Sequence, residues 1–158
     1  MKNQSSIIRA VTTAVLAIGL PGVVLRAQER AIYPEKADAR ASIKQAIGRA
    51  AHAHKRVILD FGGNWCGDCK VLDGYFHKEP SASLLKHNYI LVDVNIGNFD
   101  MNKDIARQYG VPLEKGVPAL AVLDSHGHAI YSQKNGEFES MRAMDANSVT
   151  DFLKRWKG

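Results

Sequence analysis

Residues 57–70 read VILDFGGNWCGDCK and contain the only two cysteines of the chain. The first five residues of this stretch are apolar apart from Asp60 and rich in strand formers, which predicts a strand buried on both faces. A pair of glycines then interrupts the strand, and a helix is predicted to begin near Cys66. Unpaired backbone N–H groups at a helix start favour a thiolate, so Cys66, with two residues between it and Cys69, is the candidate nucleophile of a redox site.

An inert structural disulfide and a metal site are the alternatives for this cysteine pair. A disulfide across so short a loop restricts an unfolded chain little, which favours reactivity over a structural role. A second Cys-x-x-Cys pair, or a histidine directly after the second cysteine, would indicate zinc or haem, and the sequence contains neither. No cofactor and no resident metal is therefore expected.

The amino terminus has the pattern of an export signal. Lys2 and Arg9 provide a basic start, and an apolar run over residues 10–25 follows, which predicts a signal peptide over residues 1–27 and an exported, periplasmic location. Cleavage at its end would leave one domain, residues 28–158. Because Leu25 and Arg26, which precede Ala27 at the predicted cleavage position, are not small residues, a retained membrane anchor is the alternative.

The charge balance argues against nucleic acid as a partner. The whole sequence has a formal charge of +5, but three basic residues and no acidic residue lie within residues 1–27, which leaves +2 for the predicted domain. No stripe of basic residues with interleaved aromatic residues is present. No repeat or second domain is visible in the sequence either, and we expect a monomer.

Strand and helix patterns alternate along the chain before it ends in a hairpin and a helix. Alternation predicts parallel strands in the first half, and the turn at residues 124–128 predicts an antiparallel hairpin. The expected fold class is therefore α/β, with a central mixed β-sheet flanked by helices. Residues 28–38 are either a linker or an added edge strand. The predicted elements are helices over residues 37–54, 66–77, 80–85 and 102–109, strands over 57–61, 89–95, 119–123 and 129–132, and a last helix over 147–156 capped by Asn147 or Ser148.

This order of elements, βαβ followed by ββα, resembles the thioredoxin family. The motif Trp-Cys-Gly-x-Cys-Lys follows the first predicted strand, and Gly-Val-Pro-Ala at residues 116–119 precedes the hairpin. The resemblance covers residues 57–158, and with the predicted signal the chain is similar to exported thioredoxin-like proteins of bacteria. It implies a thioredoxin-like fold and a thiol:disulfide oxidoreductase that acts on the thiols and disulfides of exported proteins.

The resemblance also implies roles for the motif residues. Cys66 would attack a substrate disulfide, and Cys69 would resolve the mixed disulfide that results. Asp60 would be the base that accepts the Cys69 proton, because burial of a carboxyl group favours its protonated form near neutral pH. An inert Asp at the strand end is the alternative. We expect net reduction of substrates, with a membrane protein as the electron donor.

One position near Asp60 departs from the family pattern. Where thioredoxins commonly have a lysine on the next strand, this chain has Asp93. A second carboxylate would push Asp60 further toward its protonated form if it points inward, and would do nothing if it points outward. Lys70 and Lys115 are the candidates to replace the missing lysine.

Substrate binding is expected at Trp65, Val117 and Pro118. In the family, the proline forms a cis peptide bond opposite the cysteines, so the Val117 backbone would pair with an extended substrate; an ordinary trans proline at a strand start is the alternative. The loop at residues 112–116 either contacts substrates or covers the sheet edge. The absence of side chains at Gly62 and Gly63 predicts an open entrance to the cysteine motif.

The residues inside and after the cysteine motif, Gly67, Asp68 and Lys70, are candidates for tuning the redox potential. A carboxylate beside the sulfurs opposes a thiolate, so Asp68 predicts a less acidic Cys66 and a reductase or isomerase tendency. The alternative is a solvated first-turn acid that stabilises the helix. A different function class stays open as well: a Cu(I)-binding site or a non-catalytic protein-binding module.

Overall fold

Strand β1 (Arg56–Gly62) lies inside the sheet, as its continuous apolar pattern predicts. The computed structural model describes residues 30–158. Strand β2 (Tyr89–Asn95) runs parallel to β1 on one side, β3 (Ala119–Leu123) runs antiparallel to β1 on the other, and β4 (Ala129–Ser132) runs antiparallel to β3. The sheet of the described residues therefore has the order β2-β1-β3-β4.

Helices cover both faces of this sheet. Helices α1 (Ala39–Ala53) and α4 (Lys103–Gln108) pack on one face, and α2 (Gly67–Phe76), α3 (Ser81–Asn88) and α5 (Ala146–Trp156) pack on the other. The mixed sheet flanked by helices, with βαβ followed by ββα, confirms the predicted fold class.

Strand β1 has apolar side chains on both of its faces, so both faces must be covered by other elements. Val57, Leu59 and Phe61 lie in the core cluster that contains α1 and α4, and Ile58 lies in the cluster that contains α2 and α5. All four side chains are fully buried. Successive side chains of a strand point to opposite faces. Both core clusters therefore pack against β1, and the cysteine motif follows directly from this fixed strand.

The last helix begins one residue earlier than predicted. Asp145 has an extended backbone, and its carboxylate accepts a hydrogen bond from the Asn147 N–H group at 2.8 Å. The helix cap is therefore Asp145, and the prediction of Asn147 or Ser148 was wrong. The carboxylate satisfies one of the N–H groups that have no partner within the helix.

Residues 30–38 form neither a strand nor a free linker. Tyr33 is fully buried in the core, and its backbone is tied to Asn64 by two hydrogen bonds. The Tyr33 N–H group donates to Asn64 Oδ1 at 3.0 Å, and Asn64 Nδ2 donates to the Tyr33 carbonyl at 2.9 Å. Nη2 of Arg30 forms an ion pair with Asp73 of α2 and donates to both carboxylate oxygens, at 2.9 and 3.1 Å, so the segment packs over the cysteine motif.

The predicted signal peptide and its cleavage position lie outside the described residues. A search of residues 30–158 finds no helix that combines the length and the apolar character needed to span a bilayer.

Candidate functional site

Cys66 occupies the N-cap position of α2, directly after the turn that follows β1. The backbone N–H group of Cys69 points at Cys66 Sγ at 3.1 Å. The two sulfurs are joined in a disulfide with an S–S distance of 2.12 Å. Cys66 retains 5% exposure whereas Cys69 is fully buried. The helix start therefore offers an N–H donor to the sulfur that is more accessible, and this donor would stabilise its thiolate in the reduced protein.

The loop before β3 lies against Cys66. The Val117–Pro118 peptide bond is cis, and the Val117 carbonyl oxygen is 3.6 Å from Cys66 Sγ. A disulfide sulfur carries no proton, so this approach is a contact between the two atoms. The structure thus brings both residues of the predicted substrate-binding loop to the more accessible sulfur, although 51 residues separate Val117 from Cys66.

Trp65 forms an exposed apolar patch with two residues that the sequence reasoning did not select. Its indole N–H group donates to the Gly97 carbonyl at 2.7 Å, and its ring centroid is 5.6 Å from that of Phe99. Trp65, Phe99 and Met101 are 52%, 40% and 42% exposed. We call these three residues the Trp65 patch; it places apolar surface directly beside the cysteine motif.

Asp60 is a buried carboxyl group behind the cysteine pair. It is 1% exposed, and the parallel register pairs it directly with Asp93 of β2. This register confirms that Asp93 occupies the neighbouring position that the sequence comparison assigned to it. The Tyr33 hydroxyl donates to Asp60 Oδ2 at 2.9 Å. Asp60 Oδ1 and Asp93 Oδ1 are buried and have no hydrogen-bond partner among residues 30–158.

Burial and like charge both favour the protonated form of this carboxyl pair. Burial raises the pKa of Asp60 well above its ordinary value, the negative charges of Asp93 and Asp73 raise it further, and the Tyr33 hydrogen bond acts in the opposite direction. Burial, followed by the charge of Asp73, raises the pKa of Asp93 to about 6. The positive charge of Arg30, and that of His77 when it is protonated, partly oppose that second shift. A proton is therefore available at this pair near neutral pH.

Asp68 is a buried carboxylate that is paired with Arg142. Its carboxylate is buried, accepts two hydrogen bonds from Arg142, from the backbone N–H at 2.8 Å and from Nε at 3.1 Å, and forms an ion pair with Nη2 at 2.9 Å. These bonds lower the pKa of Asp68. The interpretation as a solvated acid was wrong. Arg142 places a positive charge beside this carboxylate, and the effect of Asp68 on a thiolate at Cys66 stays a prediction.

The neighbours of Asp68 lie on the surface. Gly67 is exposed, and a Cβ atom there would lie 3.7 Å from the Arg142 guanidinium. Lys70 is exposed on α2, and Lys115 is exposed in the loop before β3. Whether either lysine compensates Asp60 stays a prediction.

The prediction of an open entrance at the glycine pair was wrong. Gly62 and Gly63 are both buried. A Cβ atom at Gly62 would lie 2.4 Å from Tyr33 Oη and 2.8 Å from Cys69 Sγ, and one at Gly63 would lie 2.6 Å from the Trp65 indole nitrogen. The space that larger side chains would fill is occupied by Tyr33 and Trp65.

The loop at residues 112–116 packs on the core on its inner side and borders a groove on its outer side. Whether it contacts substrates or covers the sheet edge stays a prediction. Leu113 begins a 3-10 turn over Leu113–Lys115 and is buried in the core. Pro112 and Glu114 line a groove of about 760 Å³ on the outer side, together with Phe99 of the Trp65 patch. No group of three or more His, Cys, Asp or Glu side chains within residues 30–158 is arranged to hold a metal ion.

Sequence reasoning missed three residues that interact with the predicted site residues: Tyr33, Asp73 and Arg142. Tyr33 belongs to a segment with no periodic pattern, and it lies 27 residues before Asp60. Arg142 lies 74 residues after Asp68. Asp73 is one helical turn beyond the motif and looks like an ordinary surface acid. No local pattern in the sequence signals these contacts.

Comparison with known proteins places this site in a family. A family model described as thioredoxin-like matches residues 38–125. The protein disulfide-isomerase of Ricinus communis is 31% identical over 107 residues, which cover 66% of this chain and 19% of the relative. The thiol:disulfide interchange protein DsbD of Photorhabdus laumondii is 29% identical over 104 residues, which cover 65% of this chain and 17% of the relative. The chain thus spans less than a fifth of the length of these two curated relatives.

Solved structures agree with this assignment. The crystal structure of a disulphide isomerase from Xylella fastidiosa Temecula1 has a TM-score of 0.77 and 34% identity, and the match covers 81% of this chain and 98% of that one. The oxidised C-terminal domain of DsbD from Neisseria meningitidis has a TM-score of 0.53 and 20% identity, with 75% and 96% covered, which is a likeness of fold alone. The resemblance inferred from the sequence is confirmed, and the chain belongs to the thioredoxin-like family.

Proposed function

We propose that this protein is a thiol:disulfide oxidoreductase that exchanges disulfides with exported proteins, in the reducing direction. One observation supports this most directly: Cys66 caps α2, receives an N–H group at 3.1 Å and lies 3.6 Å from the backbone of the Val117–Pro118 loop. A nucleophilic sulfur and a backbone surface for an extended substrate therefore meet at one point. The names of the relatives, protein disulfide-isomerase and thiol:disulfide interchange protein, agree with this chemistry.

The first step is attack by the Cys66 thiolate on a substrate disulfide. A bond forms between Cys66 Sγ and one substrate sulfur, and the other substrate sulfur leaves with the electron pair of the broken disulfide. The helix start stabilises the attacking thiolate, and the 5% exposure of Cys66 makes it the sulfur that a substrate reaches. Cys69, fully buried behind it, is kept for the second step.

Cys69 resolves the mixed disulfide. Its S–H bond breaks, the proton passes to Asp60, and the Cys69 thiolate attacks Cys66 Sγ to release the substrate thiolate. Asp60 accepts a proton only in its ionised form. Because the pKa of Asp60 is raised by burial and by Asp93, we expect resolution to become faster as the pH rises through the neutral range.

Substrate contacts follow from the surface around Cys66. The Trp65 patch offers apolar area beside the motif, and the Val117 backbone offers polar groups to an extended segment. We assign recognition to Trp65, Val117 and Pro118, and redox tuning to Gly67, Asp68 and Lys70. The direction of exchange is set by the partner that recharges the cysteines, and the likeness to DsbD supports a membrane electron-donor protein and a periplasmic location.

The test of this function is a trapping experiment. In Cys69→Ala, the mixed disulfide cannot be resolved, so we expect covalent adducts with exported proteins that dissolve on addition of dithiothreitol. Cys66→Ala is the matched control and should trap nothing. The wild-type protein should also accelerate reduction of insulin by dithiothreitol. Absence of adducts together with stoichiometric Cu(I) uptake would contradict the proposal and favour the metal-binding alternative.

A further inference from the structure

Tyr33 is a fully buried phenol whose hydroxyl is directed at the Asp60 carboxyl. The side chain has 0% exposure, and its hydroxyl donates to Asp60 Oδ2 at 2.9 Å. Burial, followed by the negative charge of Asp60, raises the pKa of the phenol far above its ordinary value. Tyr33 therefore stays protonated at any working pH and is a permanent donor to this carboxyl.

The same hydroxyl is close to the buried cysteine. A Cβ atom at Gly62 would lie 2.4 Å from Tyr33 Oη and 2.8 Å from Cys69 Sγ. The phenol oxygen and the sulfur thus border one space no larger than a methyl group, and the absence of a side chain at Gly62 lets them approach. The Tyr33 hydroxyl is therefore close to both groups that must exchange a proton in the second step, the Asp60 carboxyl and the Cys69 thiol.

The backbone around Tyr33 is tied to the cysteine motif itself. Asn64, two residues before Cys66, both donates to and accepts from the Tyr33 backbone, at 2.9 and 3.0 Å. Arg30 anchors the start of the same segment to Asp73 at 2.9 Å. The position of the phenol is therefore coupled to the turn that carries the cysteines.

We propose that Tyr33 is a positioning residue that holds Asp60 in place as the acceptor of the Cys69 proton and favours its ionised form. This inference rests on the proposed function. Oδ2 is held by the phenol, and Oδ1 has no hydrogen-bond partner among residues 30–158, so Oδ1 receives the proton when the Cys69 S–H bond breaks. The electron pair of that bond stays on Cys69 Sγ, which attacks Cys66, and the substrate sulfur leaves as a thiolate.

Other charged groups act on the same carboxyl pair and set the background for this effect. Like charge from β2 and α2 favours protonation, while the positive charge of Arg30, and that of His77 when it is protonated, favour ionisation of Asp93. Without the phenol, Asp60 would be a buried carboxyl with no donor from the described residues, and it would remain protonated to a higher pH. The charged groups that act on Asp60 are Asp93 and Asp73, and those that act on Asp93 are Asp73, Arg30 and His77.

Tyr33→Phe tests the inference because it removes the hydroxyl and keeps the ring. Reduced protein mixed with equimolar Ellman's reagent releases thionitrobenzoate first when Cys66 attacks and again when Cys69 resolves the adduct, so the second phase reports resolution. We expect the pH midpoint of that phase to rise by about one unit and its rate at neutral pH to fall about tenfold, as loss of one hydrogen bond to a carboxylate implies. The first phase should be unchanged.

Tyr89→Phe is the matched control. Tyr89 is also buried, at 4% exposure, and its hydroxyl donates to the Leu153 carbonyl at 2.6 Å, far from the cysteines in the α5 cluster. It loses a comparable hydrogen bond, so a merely structural effect would change both variants alike. An unchanged midpoint in Tyr33→Phe, or an equal shift in Tyr89→Phe, would overturn the inference.

Asp60→Asn separates this inference from the proposed function. If Asp60 is the base, Asp60→Asn removes the pH dependence of the second phase, and Tyr33→Phe in that background changes nothing further. A wild-type profile in Asp60→Asn would overturn the base assignment itself. The titration of the Asp60 carboxyl carbon, followed by NMR in the oxidised protein, is a second readout; it should move to higher pH in Tyr33→Phe and stay in place in Tyr89→Phe.

Discussion

Arg142 places a guanidinium over the start of α2, where Cys66 caps the helix. Its two hydrogen bonds and its ion pair with Asp68 set a cation against the carboxylate that would otherwise oppose a thiolate at Cys66. The Arg142 side chain is 72% exposed, so solvent screens part of this interaction. The pair nevertheless lies beside the reacting sulfur, although 74 residues separate Arg142 from Asp68 in the sequence.

Removal of the guanidinium should make Cys66 less acidic. In Arg142→Gln, we expect the pKa of the Cys66 thiol to rise by about half a unit, because the variant removes a positive charge that favours the thiolate at the helix start. Thiolate absorbance against pH measures this shift in the reduced protein. Arg142→Gln combined with Asp68→Asn should restore the wild-type value, and Arg155→Gln in α5 is the control. A fall in the Cys66 pKa would contradict the compensation by Arg142.

The parts of the site that the sequence predicted are local in the chain, follow from strand register or, as at Val117 and Pro118, come from the family resemblance. Cys66 and Cys69 lie on one helix turn, and Asp60 meets Asp93 because parallel strands pair at equivalent positions. Tyr33 and Arg142 could not be predicted in the same way. Each reaches the site from a segment without periodic hydrophobic signal, and such contacts depend on how the loops pack after the sheet has formed.

At the scale of elements, the sequence predicted the bounds of strands more accurately than the bounds of helices. The bounds of β2, β3 and β4 agree with the predicted ranges, because a continuous or alternating apolar run marks a buried strand at both ends. The start of α5 was missed because several residues near it can cap a helix. Only packing decides which of them adopts the extended backbone of a cap.

The cap of α5 can be tested by alanine substitutions at adjacent positions. Asp145→Ala should lower the free energy of unfolding by about 1 kcal/mol, because the Asn147 N–H group loses its acceptor. Asn147→Ala should change it by about 0.5 kcal/mol or less, as is usual for an exposed surface position. Urea denaturation of the oxidised protein measures both values. A larger loss at Asn147 than at Asp145 would return the cap to the position that the sequence suggested.

The turn between β1 and α2 depends on the missing side chain at Gly62. Gly62→Ala places a Cβ atom against Tyr33 Oη and Cys69 Sγ, which are both buried, so we expect a loss of about 1–3 kcal/mol in the free energy of unfolding. Gly74→Ala in α2 is the matched control, since nothing lies within 4 Å of its Cβ position. That change should stabilise the helix by about 0.5–1 kcal/mol. Equal effects in urea denaturation would show that Tyr33 does not fill the space beside Gly62.

At the scale of the whole molecule, the carboxyl pair gives stability an unusual dependence on pH. Both carboxyl groups have pKa values raised in the folded state, so the folded protein binds more protons than the unfolded chain in the window above pH 4. The free energy of unfolding contributed by this pair therefore falls as the pH rises. This direction is opposite to that of an ordinary ion-paired Asp, such as Asp104 beside Arg40, whose pKa is lowered.

Asp93→Asn should consequently stabilise the oxidised protein, and more at high pH than at low pH. For Asp93, the pKa rises from 3.8 to about 6 on folding; the penalty is absent below pH 4, grows through pH 6, and reaches about 2–3 kcal/mol above it. Urea denaturation at pH 4 and pH 8 should therefore show no difference between variant and wild type at the lower pH and a clear gain for the variant at the higher one. Asp104→Asn should behave in the reverse sense, with its loss of stability larger at pH 8. A gain for Asp93→Asn that is the same at both pH values would mean that burial of Asp93 has no protonation cost, and the carboxyl pair could then not hold a proton for exchange near neutral pH.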